Sequence, residues 1–403
     1  MKILIPLLLW VLFLPACNDP KSIPESEVEE ILVQTEIGKT MLLSEFCTEV
    51  SYRRLQTDNL NSIGTIDKMI LHKNRIYILD SKTNKIFVYN KNGDFITQTN
   101  NNGRGPGEYL NISDFLIDSL NDNIELWDNG NKKLIKMDRD CNFLNEKPFS
   151  LYVDKFCKLS SNSYLYYACN YLNPEFFDKE SFNAIILDSS NNLISSHLPI
   201  KETRYLKLGE NNAFVKYGNG VNIIIPFDNQ LYHVSLNGSK AKYKIKFLNY
   251  NLPDDFLESY NKIDVNDRAG ISMGGIQLFN EVNKNSYASG IHNIFENDKI
   301  LFFQYRVPKV ANFTTIYSKK TKKVSVGIPE NDLDLGLFGE PVTLNGDTLI
   351  TYIYPSELIK RVKTMESSNS SKFSSKYLDL KKLSDSLQES ENPILVKFVL
   401  SDL

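Results

Sequence analysis

Histidine and tryptophan are scarce in this chain, with 4 and 2 among 403 residues. The histidines, His72, His197, His233 and His292, are scattered, and no HExxH pair or Cys/His cluster exists. The ligand spacings of zinc catalysis are therefore lacking. A basic excess is lacking too. Lys and Arg number 46 against 49 Asp and Glu, a formal net charge of −3, which leaves nothing spare to neutralise phosphates and argues against nucleic acid as a partner. Beyond the N-terminus no apolar run is long enough to span a bilayer. The cysteines show no close repeated spacing, so Cys47, Cys141, Cys157 and Cys169 are expected as free thiols in a domain too large to need staples.

What is plentiful is Phe and Tyr, 23 and 21 respectively. Such rings fit half-buried pleated surfaces and favour β structure. At 42% hydrophobic and 24% charged residues, the chain is neither disordered nor a multi-span membrane protein. It is long enough to bury a sizeable core.

The N-terminus reads as an address. Met1-Lys2 is a minimal positive region, and Ile3 to Leu14 is an apolar run of 12 residues. As a helix that run reaches about 18 Å, short of the roughly 30 Å of a bilayer core, so it matches a signal peptide and not a membrane span. Leu14-Pro15-Ala16-Cys17 follows at once and resembles a bacterial lipobox. In such signals the peptidase cuts before the Cys, whose thiol takes a diacylglyceryl group. Residues 1–16 are thus expected to be a lipoprotein signal peptide, Cys17 the lipid attachment site, and 17–40 an acidic, Pro-containing tether. The expected location is the cell envelope, lipid-anchored to a membrane, with the outer membrane favoured.

An internal repeat governs the remainder. Residues 74–96 (NRIYILDSKTNKIFVYNKNGDFI) and 122–144 (DNIELWDNGNKKLIKMDRDCNFL) share one register at an offset of 48. Ile76 matches Ile124, Asp80 matches Asp128, Lys85 matches Lys133 and Phe95 matches Phe143. Weaker echoes place Asp188, Ser235 and Ser318 at the turn position of Asn90. Residues 251–285 and 356–391 read as insertions, the second helical in part. Both faces of the strands are apolar, as Ile76 and Ile78 alternate with Tyr77 and Leu79, so both faces must be covered. Six units packed face to face around an axis meet that need. The expected fold is all-β, a six-bladed β-propeller over residues 41–403. The strand at 48–57 is expected to pair with 393–400 and seal the ring.

After the first unit comes Gly103-x-Gly105-Pro106-Gly107-Glu108-Tyr109, then Ile112 and Asp114-Phe115. With Asn392-Pro393-Ile394-Leu395 and Leu43-Ser44-Glu45-Phe46 near the ends, the chain resembles the six-bladed, NHL-like propeller lipoproteins of Bacteroidales. The resemblance implies the fold, the lipid anchor and a non-catalytic role, in a family some of whose members sit near carbohydrate-uptake systems.

The glycine loop lacks the Lys-Ser/Thr of a P-loop, and its Pro removes a donor. It reads first as a crossover between blades, with Arg104, Glu108 and Tyr109 as candidate surface contacts. Gly270-Ile271-Ser272-Met273-Gly274 matches a nucleophile elbow in letters only, since no buried strand precedes it. Asp67, Asp114 and Asp154 each fall in a predicted innermost strand (TIDKM, ISDFL, YVDKF). They are expected to reach the central channel, where carboxylates could lock blades together, orient sugar hydroxyls or hold a hard cation such as calcium. His292 is a candidate for the same place in a later blade. No cofactor other than calcium is indicated. The expected role is a monomeric binding module for a glycan or a protein partner. The alternative is a hydrolase or lyase with its site at the channel.

Overall fold

A computed structural model describes residues 28–177, 180–200, 213–253, 256, 268–367 and 375–401, with only the backbone for 268–276. The expected signal peptide and Cys17 lie outside the described residues. The described chain opens with β1 (Glu29–Val33), β2 (Thr40–Leu42) and β3 (Cys47–Arg54). Blade 1 is β4–β7 (Lys68–His72, Arg75–Asp80, Lys85–Asn90, Phe95–Gln98) and blade 2 is β8–β11 (Ile112–Asp118, Asn123–Asp128, Lys133–Met137, Phe143–Pro148). Blade 3 is β12–β15 (Lys155–Ser160, Ser163–Tyr167, Phe182–Asp188, Leu193–Pro199). Blade 4 is β16–β19 (Phe214–Tyr217, Gly220–Ile224, Gln230–Ser235, Gly238–Phe247), and helix α1 (Arg268–Asn285) follows it. Blade 5 is β20–β23 (Ser289–Glu296, Ile300–Val307, Ala311–Ser318, Val324–Glu330). Blade 6 begins with β24 and β25 (Glu340–Asn345, Thr348–Ile353), continues after helices α2 (Pro355–Ser367) and α3 (Ser375–Asp385) with β26 (Ile394–Leu400), and takes β3 as its outer strand. Six small sheets in a ring make a six-bladed β-propeller.

The two-sided apolar strands explain the ring. In β5, Ile76 and Ile78 pack toward Ile350, Tyr352 and Leu395 of blade 6. Tyr77 and Leu79, between them, pack toward Phe115, Ile124 and Leu126 of blade 2. Each neighbouring pair of blades shares such a seam, and burying one of these side chains stabilises by about 1.5–3 kcal/mol. The largest member is Trp127, 1% exposed, whose indole N–H donates to the Val153 carbonyl at 3.0 Å across the seam to blade 3. The aromatic runs of β13 and β21 are buried in the same way: Tyr164, Tyr166, Tyr167, Phe302, Phe303 and Tyr305 all lie in the core.

The repeated polar residues are turn locks. Asp80 is fully buried, and its carboxylate accepts the Lys82 amide at 2.9 Å, the Thr83 hydroxyl at 2.8 Å and the Gly64 amide at 2.7 Å. Its partner in the repeat, Asp128, accepts the amides of Gly130, Asn111 and Leu110. Each aspartate therefore ties the turn after a blade's second strand to the loop that enters the same blade. The Asn90 position caps the next turn. Asn90, Asp188, Ser235 and Ser318 each accept an amide from the residues just after them, as the sequence register predicts.

The ring closes as expected, with β3 antiparallel to β26, Arg54 opposite Ile394 and Cys47 opposite Leu400. Part of the segment expected to be a tether, 17–40, is instead strand. Glu29–Val33 is a strand that pairs parallel with β19 at the outer edge of blade 4, and Thr40–Leu42 pairs parallel with β23 at the edge of blade 5. The reason is burial: Ile31 and Val33 are fully buried against the seam between those blades. Four cysteines, Cys47, Cys141, Cys157 and Cys169, are free thiols.

Ion pairs cross several seams. Glu296 of blade 5 receives Lys319 at 2.6 Å, Lys242 of blade 4 at 2.7 Å and the Tyr243 hydroxyl at 3.0 Å. Lys158 of blade 3 reaches Asp118 of blade 2 at 2.7 Å. Burial alone would raise the Asp118 carboxyl, but Lys158, the Leu120 amide and Asn121 outweigh it and hold it below the usual carboxylate range.

Two outcomes follow for stability. Asp80→Ala leaves the part-buried Gly64 and Lys82 amides without their acceptor and should cost about 1–3 kcal/mol, whereas Asp188→Ala, in an exposed turn, should move a urea midpoint far less. Equal shifts would refute the lock. A carboxyl depressed in the fold stabilises above its unfolded value, near 3.8, and that contribution fades as pH falls through the folded value. Urea midpoints should therefore drop below about pH 4, and Asp118→Asn should flatten that acid limb. An unchanged limb would assign it to other carboxyls.

Candidate functional site

In an antiparallel meander, successive connections alternate between the two faces of the disc. One face collects the loops entering each blade and the turns between second and third strands. Both insertions lie there: α1 in the loop from blade 4 to blade 5, and α2–α3 between β25 and β26. The first strands β4, β8 and β12, and β16, β20, β24 and β4 in turn, touch one another around the axis. Their N-terminal ends open on this decorated face.

At that end of the axis lies a cavity of about 130 Å³ lined by Asp67, Lys68, Ser113, Lys155 and Phe214, among others. It draws on the first strands of four consecutive blades. Asp67 lines this cavity together with Lys155, the neighbour of Asp154, and the three aspartates do different work. Asp114 is fully buried: one oxygen accepts Lys68 of blade 1 at 2.7 Å, the other the Phe156 amide of blade 3 at 2.9 Å. It therefore ties three blades together. Asp67 accepts the Ser81 amide at 2.6 Å. Asp154 stands 3.9 Å from Lys155, whose ammonium also reaches the Ser113 carbonyl at 3.4 Å.

Two lysines thus interleave with the three carboxylates. Burial pushes the Asp154 carboxyl up, against the pull of Lys155. Burial also disfavours the Lys155 ammonium, but Asp154, Asp114 and Asp67 outweigh it and hold its pKa above the usual lysine value. Among the described residues no three His, Cys, Asp or Glu side chains gather so as to hold a metal ion. The carboxylates are arranged around ammonium groups and do not form the multi-oxygen shell that calcium takes. The clue was in the sequence, since Lys68 and Lys155 directly follow Asp67 and Asp154.

The glycine loop is stitched to blade 2. The Glu108 carboxylate accepts the Gly105 amide at 2.8 Å, Glu146 accepts the Gly107 amide at 2.8 Å, and Lys133 donates to the Gly105 carbonyl at 2.9 Å. Gly107 has φ +74°, and a Cβ there would meet the Phe143 ring at 2.7 Å, so this position requires glycine. Tyr109 is fully buried, its hydroxyl 2.8 Å from Thr99 Oγ1. Tyr109 is therefore withdrawn from the surface contact considered for it, and Glu108 is engaged within its own loop. Arg104 alone of the three is exposed.

His292 lies in the first strand of blade 5 but away from the axial cavity. Register shifts in β20 flank it on both sides, and Asn293, at φ +48°, reaches Glu340 of blade 6 at 2.8 Å in its stead. His292 instead lines a cleft of about 570 Å³ beside α1, with Ser289, Arg306, Lys309 and Asn312. No motif in the sequence joins these residues; the bulged strand and the β21–β22 turn bring them together. Gly270–Gly274 lies within α1, so the strand-to-helix turn that an elbow needs is not formed there.

The axial residues separate in a test. Asp114→Asn takes the buried negative charge away from Lys68, which keeps only neutral acceptors such as the Phe115 carbonyl at 2.8 Å, and should cost about 2–3 kcal/mol. Asp67→Asn keeps an acceptor for Ser81 and should stay within about 0.5 kcal/mol. Matching losses in urea unfolding would show that Asp67, too, is part of the framework.

The fold has counterparts among solved structures. A Bacteroides fragilis protein assigned as exported is 21% identical, with a TM-score of 0.75 over 92% of this chain and 99% of that one. A Bacteroides vulgatus member of the DUF4221 family is 9% identical, with a TM-score of 0.52 over 88% of this chain and 97% of that one. At such identities the likeness speaks for the fold. No curated protein matches the chain. The family described as a domain of unknown function, DUF4934, matches residues 28–398, which takes in strands of all six blades and the strap that β1 and β2 lay along blades 4 and 5, and the chain belongs to that family.

Proposed function

We propose that the protein is an exported, lipid-anchored binding module of the cell envelope, held by a lipid on Cys17 and acting as a monomer. Its decorated face would receive a ligand or partner, a glycan or a protein. The observation that carries this reading is the direction of β1. β19 runs toward the face that bears α1, and β1 is parallel to it. Glu29, at the start of β1, lies 2.5 Å from Lys322 in the turn after β22, on the opposite face. A tether from Cys17 to this point counts eleven residues and reaches at most ~40 Å. Anchored there, the disc turns its plain face to the membrane and its cavities away from it.

The likeness to the exported Bacteroides fragilis protein is compatible with export. An enzyme reading has less support, because the elbow-like segment lies in a helix and the axial carboxylates are engaged with lysines and amides.

Cell fractionation tests the anchor. The wild-type chain should sediment with membranes and Cys17→Ala should move to the soluble fraction; a soluble wild type would remove the anchor. A glycan array tests the binding role. Hits should weaken on Lys155→Ala or on substitutions elsewhere on the decorated face, and an array without hits would remove the glycan version.

A further inference from the structure

We propose that the cleft between α1 and the β21–β22 turn of blade 5 binds an organic carboxylate, an acidic group carried on a body with an apolar face. The inference rests on the reading of the decorated face as the binding face and adds a ligand class to it. The cleft encloses about 570 Å³, within the range of small-molecule sites. Among the described residues its charged lining is basic: Arg306 and Lys309 contribute, and no Asp or Glu does. Arg306 is exposed and makes no ion pair with a described carboxylate. A guanidinium and an ammonium on one concave surface make the local field favourable to an anion. Guanidinium suits a carboxylate because its planar donors match both oxygens.

The neighbours extend the match. Arg306 lies opposite both Ser289 and Asn312 in the sheet register, so one row across three strands offers a hydroxyl, a guanidinium and an amide. The His292 Nδ1 lies 2.6 Å from the Gly290 carbonyl. A carbonyl only accepts, so Nδ1 carries the proton and Nε2 is left as an acceptor for a ligand hydroxyl or amide. The other wall is apolar. Phe279 is 43% exposed, and Phe227 is held at φ +61°, a conformation costly for a bulky residue and one that collects at ligand sites. Charge on one wall and rings on the other describe a carboxylate with a flat or apolar side. An acidic sugar and a peptide C-terminus both have that chemistry.

Calorimetric titration of the full chain distinguishes the sources. Digalacturonate and its methyl ester form one arm; glycyl-phenylalanine and its amide form the other. In one arm the acid should bind at least tenfold more tightly than its neutral counterpart, with the advantage shrinking in added salt. Arg306→Gln should abolish the advantage, and His292→Gln should weaken binding of the acid while the melting temperature of both variants holds. Equal binding of acid and neutral forms, or an unchanged Arg306→Gln, overturns the proposal. Array hits that ignore Arg306 would overturn it and leave the binding-module reading in place. Absence of both array hits and heat would sink the two together.

Discussion

Every blade depends on its neighbours for cover. A strand such as β5 carries large apolar side chains on both faces, so one sheet by itself would leave half of its core in water. Two stacked sheets would still leave two outer faces bare. Only a closed series, in which each face finds another, removes all of that surface from solvent. The same demand explains why the first and last parts of the chain must meet, since an open ring would expose two such faces at once.

The polar residues serve this apolar design. Asp80 and Asp128 are buried, and each offers its oxygens to amides of the turn and entry loop of its own blade. Asp114, Asp118 and Glu296 are paired with lysines from adjacent blades, which fixes how one sheet sits against the next. A buried pair of this kind does little for net stability compared with apolar packing, but it disfavours misaligned arrangements that would strand a charge.

The fold was legible in sequence because its turns are written in the same letters at the same spacing. Asp80 and Asp128 recur at one offset, and the weaker echoes at Asp188, Ser235 and Ser318 fall on real turn caps. The strand at Glu29–Val33 escaped notice because it is five residues long and directly follows an acidic, Pro-containing segment. The axial site was half legible. Periodicity put Asp67, Asp114 and Asp154 near the axis, but it is silent on which carboxylate is buried and which is met by a lysine from another blade. The place of His292 was not legible at all, because bulges in β20 change its facing and periodicity assumes there are none. Arg306, Lys309 and Ser289 carry no joint signature; the pairing of β20 with β21 and the turn after β21 make them neighbours.

The strap at the rim has a temporal side. β1, β2 and β3 are synthesised well before their partners β19, β23 and β26, and Cys47 must wait for Leu400. Until then three edge strands lack mates, and the nascent chain has no finished domain to offer. Long-range pairing of this sort is slow. The ring therefore closes only when the final strand arrives, and the blades between must wait for it before their outer faces are all covered.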